Sequence, residues 1–319
     1  MTSDSTAGNG RRAVVVGAGR MGHGIALELA RGGFEVSLYD AAPGRAEAAI
    51  AEAREDAQDL VRAGVIAAAD VDVIVGRLRA AETLADATAG AEFGAEAVAE
   101  DLEVKQDVFA ELDRLCPPPA ILTSNTSSIS ITEIASGCAH PERVALAHWM
   151  LPPHLLPIVE IAPGEATDAA TINGLREVLE SLGKQPVHIR RELPGYLMNR
   201  LQFALAREAL SLIDKGVTTA EEIDVLIKGV LARRIPVLGI MRQADMAGLD
   251  VYRQIFTYLG PDLDASDEPP AFLEKAVAAG HTGAREGRGL FTWEPGEFER
   301  FVAARNDALI EALRKDRGD

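Results

Sequence analysis

The stretch Ala13-Val14-Val15-Val16-Gly17-Ala18-Gly19-Arg20-Met21-Gly22, continued by Val36-Ser37-Leu38-Tyr39-Asp40, decides the fold. It reads as an apolar strand, a glycine turn, a helix-compatible run from Met21 to Arg31 and a second strand closed by an acid. Gly17 suits the tight turn, Gly19 leaves room for a ligand to approach the backbone, and Gly22 allows the helix to sit close to the strand. The N-terminus of that helix then faces a negatively charged group such as a pyrophosphate. Asp40 stands where a carboxylate accepts hydrogen bonds from a ribose 2'-hydroxyl and repels a 2'-phosphate, so the expected ligand is NAD rather than NADP. Arg20 either reaches a phosphate or faces solvent; with Gly17, Gly19, Met21, Gly22 and Asp40 it is a candidate cofactor residue.

Outward from this unit, the chain alternates. Pro43 to Ala63 has apolar residues at a helical period, and a shorter helix is expected near Asp70 to Val75. Strand-like runs follow at Gly94–Val98, Ala120–Thr123, Val144–His148, Ile158–Ala162 and Pro186–Ile189, with helical segments at Leu102–Leu115 and Ala169–Leu182. Alternating strands and helices imply an α/β fold, a Rossmann-type doubly wound and mostly parallel sheet. After Glu192-Leu193-Pro194-Gly195 the pattern is helical only, at Tyr196–Lys215, Thr219–Gly229, Leu249–Tyr258 and Phe298–Leu313. The expected organisation is therefore a disordered tail over 1–10, a nucleotide-binding domain over 11–192, and an all-α substrate and dimerisation domain over 193–319. Gly216 is the expected C-cap of one helix, and Thr218 or Thr219 the N-cap of the next.

Composition narrows the function classes. The 319 residues are 47% hydrophobic, enough for full cores, and the formal net charge is −17. That charge disfavours nucleic acid and anionic membrane surfaces as partners, and an anionic cofactor must be held by local donors. No stretch of about 18 uninterrupted apolar residues occurs, so no membrane span is expected. The two cysteines, Cys116 and Cys138, have no metal-type spacing; they are expected to be reduced thiols in a cytoplasmic protein, and no metal is expected.

Three further segments carry polar residues that packing would not choose. Ser124-Asn125-Thr126-Ser127-Ser128 follows a strand, at the sheet end where open α/β folds bind ligands. Such clusters also serve as caps and turns. His148 closes an apolar strand, and Glu160 lies between Val159 and Ile161 in the next, where a buried carboxylate needs a partner. Strands joined by the Pro-rich loop Leu151–Leu156 would pair antiparallel and bring His148 to Glu160, fixing the imidazole tautomer as a general base requires. Asn199 lies in the first turns of the helix that opens the second domain.

Taken in order and spacing, these motifs resemble the 3-hydroxyacyl-CoA dehydrogenases and their short-chain relatives, including lambda-crystallin and L-gulonate dehydrogenase. The likeness runs from about residue 12 to about residue 295. It rests on Gly17 through Ala26, Glu96-Ala97-Val98 with Glu100 through Lys105, Asn125-Thr126-Ser127-Ser128, His148 with Pro157-Ile158-Val159-Glu160, Pro194 through Arg200, and the late run Gly280, Gly283, Arg285, Gly287, Gly289, Leu290, Phe291, Trp293. The resemblance implies His148 as general base or acid, Glu160 as the group that orients it, and Ser127 and Asn199 as donors to the substrate C3 oxygen. It adds Ala97, Val98, Glu100, Lys105 and Asn125 to the cofactor site. It also implies a homodimer through the helical domain, whose apolar positions include Leu201, Leu205, Leu210, Leu212 and Ile213.

The chain departs from the family's His-x-x-Asn-Pro pattern, with Leu151 in place of Asn. Arg285 and Leu290 replace the usual Lys and Phe. The leading expectation for the substrate is a short 3-hydroxyacyl thioester, with a place in fatty acid metabolism. The alternatives are a free 3-hydroxy acid, such as a sugar acid or carnitine-like compound, and a non-catalytic NAD-binding role that Leu151 keeps open. Relatives clasp CoA with a helical segment after the second strand; here that segment holds Glu52, Glu55 and Asp56, with Arg54, Arg62, Arg77 and Arg79 available as an offset. Dehydrogenases that use a lysine base are disfavoured, since the helix after Gly195 carries no lysine before Lys215.

Overall fold

Parallel strands buried on both faces need continuous apolar runs, and β1 (Arg12–Val16) has one, with every residue after Arg12 buried. Its side chains alternate between two cores: Ala13 and Val15 join one apolar cluster, Val14 and Val16 the other, on opposite faces of the sheet. The computed structural model of the chain describes residues 10–316 and 318. The tail expected over 1–10 lies, apart from Gly10, outside the described residues.

The first unit continues with α1 (Gly22–Arg31), β2 (Glu35–Tyr39), α2 (Arg45–Arg62), α3 (Val71–Val75), β3 (Leu78–Ala80), α4 (Leu84–Ala87), β4 (Phe93–Glu96) and α5 (Leu102–Leu115). It then adds β5 (Ile121–Ser124), α6 (Ile131–Ile134), β6 (Val144–Trp149), β7 (Ile158–Pro163), α7 (Ala169–Ser181) and β8 (Gln185–His188). The eight strands form one sheet in the order β3-β2-β1-β4-β5-β6-β7-β8, parallel except for the β6–β7 pair. This is the Rossmann-type doubly wound architecture. The strand order reverses between β1 and β4, which opens the ligand crevice at their carboxyl ends.

Two compact units divide the chain: the first reaches Leu197 and resumes at Ala304, and the second is Met198–Ala303. This differs from a boundary at 192/193 at both ends. Residues 193–197 stay with the first unit because Tyr196 is 1% exposed in its core, with Leu193 packed beside it, and the Tyr196 hydroxyl donates to the Ile129 carbonyl at 2.8 Å. At the C-terminus, Ile310 buries against Ala63 and Leu155, with Leu309 and Leu313 beside it. Asp307 pairs with Arg62, and Arg314 donates to the Arg62 carbonyl.

The second unit is helical: α8 (Met198–Asp214), α9 (Ala220–Leu226), a π-helical turn at Ile227–Leu231, α10 (Ala232–Ala247), α11 (Leu249–Leu259), α12 (Ala271–Ala278) and the start of α13 (Glu297–Asp316). Gly216 follows α8 with φ +66, and Thr219 caps α9 in a reciprocal box with Glu222. α10 contains Pro236 and is broken at Gly239, which has φ +66 and ψ 167. Among the described residues of this unit only Ser211 and Ala244 are buried.

Candidate active site

The crevice begins at the glycine turn. A Cβ on Gly22 would lie 1.9 Å from the Gly17 carbonyl oxygen, and one on Gly17, where φ is +91, would lie 2.5 Å from the Ala97 carbonyl oxygen. Both positions therefore demand glycine, one for helix-to-turn contact and one for the close approach of β1 and β4. A Cβ on Gly19 would meet nothing within 4 Å, so the loop opens there onto a cradle. No side chain caps α1, and its first turn contains no acid. Met21 is half-buried against the core, and Arg20 faces solvent. Asp40 accepts from the Ala18 amide at 2.8 Å and the Ala42 amide at 2.9 Å. A carboxylate has about four lone-pair sites, so acceptance from a ribose hydroxyl is compatible with both bonds. An open backbone cradle at a helix N-terminus, beside an acid at the end of the next strand, fits a dinucleotide.

Next to it, β4 ends in a fully buried carboxylate. Glu96 accepts from the Lys105 ammonium at 2.7 Å, the Val98 amide at 2.7 Å and the Ser124 hydroxyl at 2.6 Å. Asp101 caps α5 through the Val104 amide, which sets Lys105 on the inward face of the first turn. Lys105 is 1% exposed, with Glu100 Oε2 3.4 Å from its nitrogen. Its charge thus points into the sheet end, onto Glu96. Glu100 Oε1 gathers the serine loop: it accepts from the Thr126 hydroxyl at 2.7 Å, the Ser127 amide at 2.9 Å, and the Ser128 amide and hydroxyl at 3.0 Å. Burial pushes the Glu100 carboxyl up, but the Thr126 hydroxyl, the Lys105 charge and the loop donors outweigh it and hold it below the usual range. Ala97 and Val98 line the half-buried turn after β4, and the Asn125 side chain accepts from the Trp149 amide at 2.8 Å.

The third part is the β6–β7 pair. Its antiparallel register sets His148 directly opposite Glu160. His148 Nδ1 lies 2.8 Å from Glu160 Oε2, with both residues buried, and His148 Nε2 lies 3.3 Å from the Ser127 hydroxyl. Glu160 Oε1 accepts from the Leu197 amide at 3.1 Å. An ionised carboxylate only accepts, so the Nδ1 proton stays on that side and Nε2 presents its lone pair. Tyr196, at φ 50, brings its ring to 5.9 Å from the imidazole. Leu151 is 39% exposed in the loop after β6. Asn199 stands in the first turn of α8, in the second unit.

Sequence reasoning missed Glu96 as a structural hub. The signal was available, since an acid at the end of Phe93-Gly94-Ala95 raises the same question as Glu160 between Val159 and Ile161. Tyr196 carried no such signal. Cys116 is a free thiol pushed up to about 11 by burial, and Cys138 likewise. Among the described residues no cluster of three or more His, Cys, Asp or Glu could hold a metal ion, and no helix is long and apolar enough to cross a membrane.

A doubly wound sheet with a glycine cradle, an acid after β2 and a buried His–Glu pair at the crevice defines an NAD-binding protein of the dehydrogenase class. The chain belongs to the 3-hydroxyacyl-CoA dehydrogenase family: the family's NAD binding domain matches residues 12–193 and its C-terminal domain residues 195–293. Its coenzyme is NAD. The chain is 36% identical over 308 residues to a 5-formyl-3-hydroxy-2-methylpyridine 4-carboxylate 5-dehydrogenase of Mesorhizobium japonicum, covering 95% of this chain and 97% of that protein. A solved structure of an enzyme so described, an NAD+-dependent dismutase, superposes with a TM-score of 0.90 at 33% identity, over 97% of this chain and 99% of the other. L-carnitine dehydrogenase of Streptomyces coelicolor is 34% identical over 314 residues, 96% of this chain and 95% of that protein. A probable 3-hydroxybutyryl-CoA dehydrogenase of Bacillus subtilis is 35% identical over 285 residues, 89% of this chain and 98% of that protein.

Proposed function

We propose that the protein is an NAD-dependent dehydrogenase acting on a small free carboxylic acid that carries an alcohol group, or an aldehyde taken as its hydrate, with His148 as the general base. The observation that carries the chemistry is the 2.8 Å contact of His148 with Glu160, two buried groups in direct register. Nε2 takes the proton of the substrate hydroxyl, and Glu160 steadies the imidazolium that results. Ser127, whose loop Glu100 holds, donates to the same substrate oxygen as negative charge grows on it, and the family resemblance makes Asn199 a further donor candidate. Gly17, Gly19, Arg20, Met21 and Gly22 receive the coenzyme pyrophosphate, Asp40 its ribose, and Ala97, Val98 and Asn125 border its nicotinamide end. Bound NAD supplies the hydride acceptor.

The choice of a free acid rests on α2. The arginines that could offset its acids are already engaged: Arg54 with Asp72, Arg62 with Asp59 and Asp307, Arg77 with the Ala30 carbonyl, and Arg79 with Asp86. The last turns of α13 also cover the end of α2 through Ile310. Little positive charge is left there for the phosphates of CoA. The pyridine carboxylate and carnitine dehydrogenases, both named for free acids, match this chain over 95% and 96% of its length. A second reading, a 3-hydroxyacyl-CoA thioester in fatty acid metabolism, is favoured by the likeness to the Bacillus protein.

The deciding experiment is a substrate panel with NAD and NADH in which each CoA thioester is paired with its free acid, with carnitine and pyridine carboxylates included. The free acid is expected to exceed its thioester by at least about tenfold in kcat/KM, the difference of one good charged contact. The opposite ranking transfers the conclusion to the thioester. Absence of turnover with both classes, alongside tight NADH binding, makes the protein a coenzyme-binding protein without this chemistry.

The proposal includes a homodimer through the second unit. Leu201, Phe203, Met241, Met246, Phe256 and Tyr258 are exposed on its helices by 63 to 89%, and large apolar side chains left to water in such number suit an association surface. The two free thiols suit a reducing cytoplasm.

A further inference from the structure

His23, the second residue of α1, has acceptors at both ring nitrogens. Nδ1 lies 2.9 Å from the Gly19 carbonyl oxygen and 3.2 Å from Glu52 Oε2; Nε2 lies 3.0 Å from Asp56 Oδ2. A neutral imidazole has one N–H and one lone pair, so it would aim the lone pair at an oxygen on one of these sides. Only the doubly protonated ring satisfies both. Burial alone would push the imidazole down, but the hydrogen bond and charge of Asp56, the Gly19 carbonyl and Glu52 outweigh it and raise it above 6.5.

The surrounding charges come from two elements. From α2, Glu52 faces the ring and also binds Arg45 at 2.5 Å, and Asp56 faces it from the next turn. From the loop between β6 and β7, buried His154 approaches the same Asp56 oxygen at 3.1 Å and Asp59 at 3.7 Å. Burial would raise the Asp56 carboxyl, yet His154 and His23 together hold it down at about 2.

The link to the coenzyme is the Gly19 carbonyl. It accepts from the His23 amide at 3.3 Å and from the His23 ring at 2.9 Å. A peptide is planar, so a carbonyl fixed toward the helix turns the following N–H, that of Arg20, the opposite way. The loop is open beside this peptide, since a Cβ on Gly19 would meet nothing within 4 Å. We propose that the His23 imidazolium locks the Gly19–Arg20 peptide with its N–H toward the coenzyme pyrophosphate and adds positive charge to this loop, so that NAD affinity is tied to a single proton. In a chain of net charge −17, such a local cation matters. The inference uses the coenzyme site alone and is independent of the substrate.

The sign follows from the raised value. The proton is present at low pH and is lost as pH rises through the folded value, above 6.5, and affinity falls with it. The test is NADH binding to the full-length protein, by fluorescence and calorimetry, between roughly pH 6 and pH 9. Kd is expected to rise about tenfold across that range, the effect of losing one charged hydrogen bond, and calorimetry in buffers of different ionisation enthalpy should show proton uptake on binding. His23→Gln should bind about tenfold more weakly at the acid end and lose the pH dependence. Glu52→Gln, at a side chain 40% exposed, leaves the fold intact and should move the transition to lower pH. A pH profile unchanged in His23→Gln, a transition unmoved in Glu52→Gln, or binding without proton uptake overturns the proposal.

Discussion

The two units use apolar residues in opposite ways. In the first, the sheet is sandwiched between α1, α2 and α7 on one side and α5 on the other, and side chains such as Phe34, Phe93, Phe109 and Leu122 are 0 or 1% exposed. In the second, five successive helices leave Phe203, Met246 and Phe256 about two-thirds exposed or more, with only Ser211 and Ala244 buried among its described residues. A unit with its own core can hold side chains in fixed register, as it does His148, Glu160 and Ser127. Amphipathic helices with so few buried residues are the ground on which a dimer through this unit is proposed.

Substitutions in the two units should therefore behave differently. Phe34→Ala removes a fully buried ring that packs at a tilt against Phe93, 6.3 Å between ring centres, and should destabilise the first unit by about 3–5 kcal/mol in denaturant unfolding. A cost below about 1 kcal/mol would mean that this core is far looser than its burial implies. The double substitution Phe203→Glu with Phe256→Glu should change the unfolding of the first unit by less than about 1 kcal/mol. In light scattering it should convert a dimer into a particle of 33.9 kDa. A parent protein already at that mass would remove the dimer from the account.

The same contrast explains what could be read in the chain. The β1-α1-β2 unit was legible because each of its constraints is local: glycine where a Cβ has no room, and an acid at a strand end. The His148–Glu160 contact was legible because an antiparallel pair joined by a short Pro-rich loop has few registers available. β3 was not, since Leu78-Arg79-Ala80 is too short to show any period. Lys105 entered the expected coenzyme site through the family resemblance; its pairing with Glu96 is a matter of helix phase that spacing from Glu100 does not reveal. The His23–Asp56–His154 chain joins three distant segments, and no periodicity announces it. The second half of α13 looked like one more helix of the C-terminal domain; the contacts of Ile310 with Ala63 and Leu155, and of Asp307 and Arg314 with Arg62, assign it to the first unit.

The central claim is that His148, oriented by Glu160, moves the proton in a site that binds NAD independently of it. The most direct measurement compares His148→Gln with the parent protein in two assays on one preparation: NADH affinity, and the rate of NADH formation with the best substrate of the panel. The account predicts an affinity within about twofold of the parent and a rate lower by about 10²–10⁴-fold, the usual contribution of a general base. A variant that binds NADH equally well and turns over at the parent rate would contradict it.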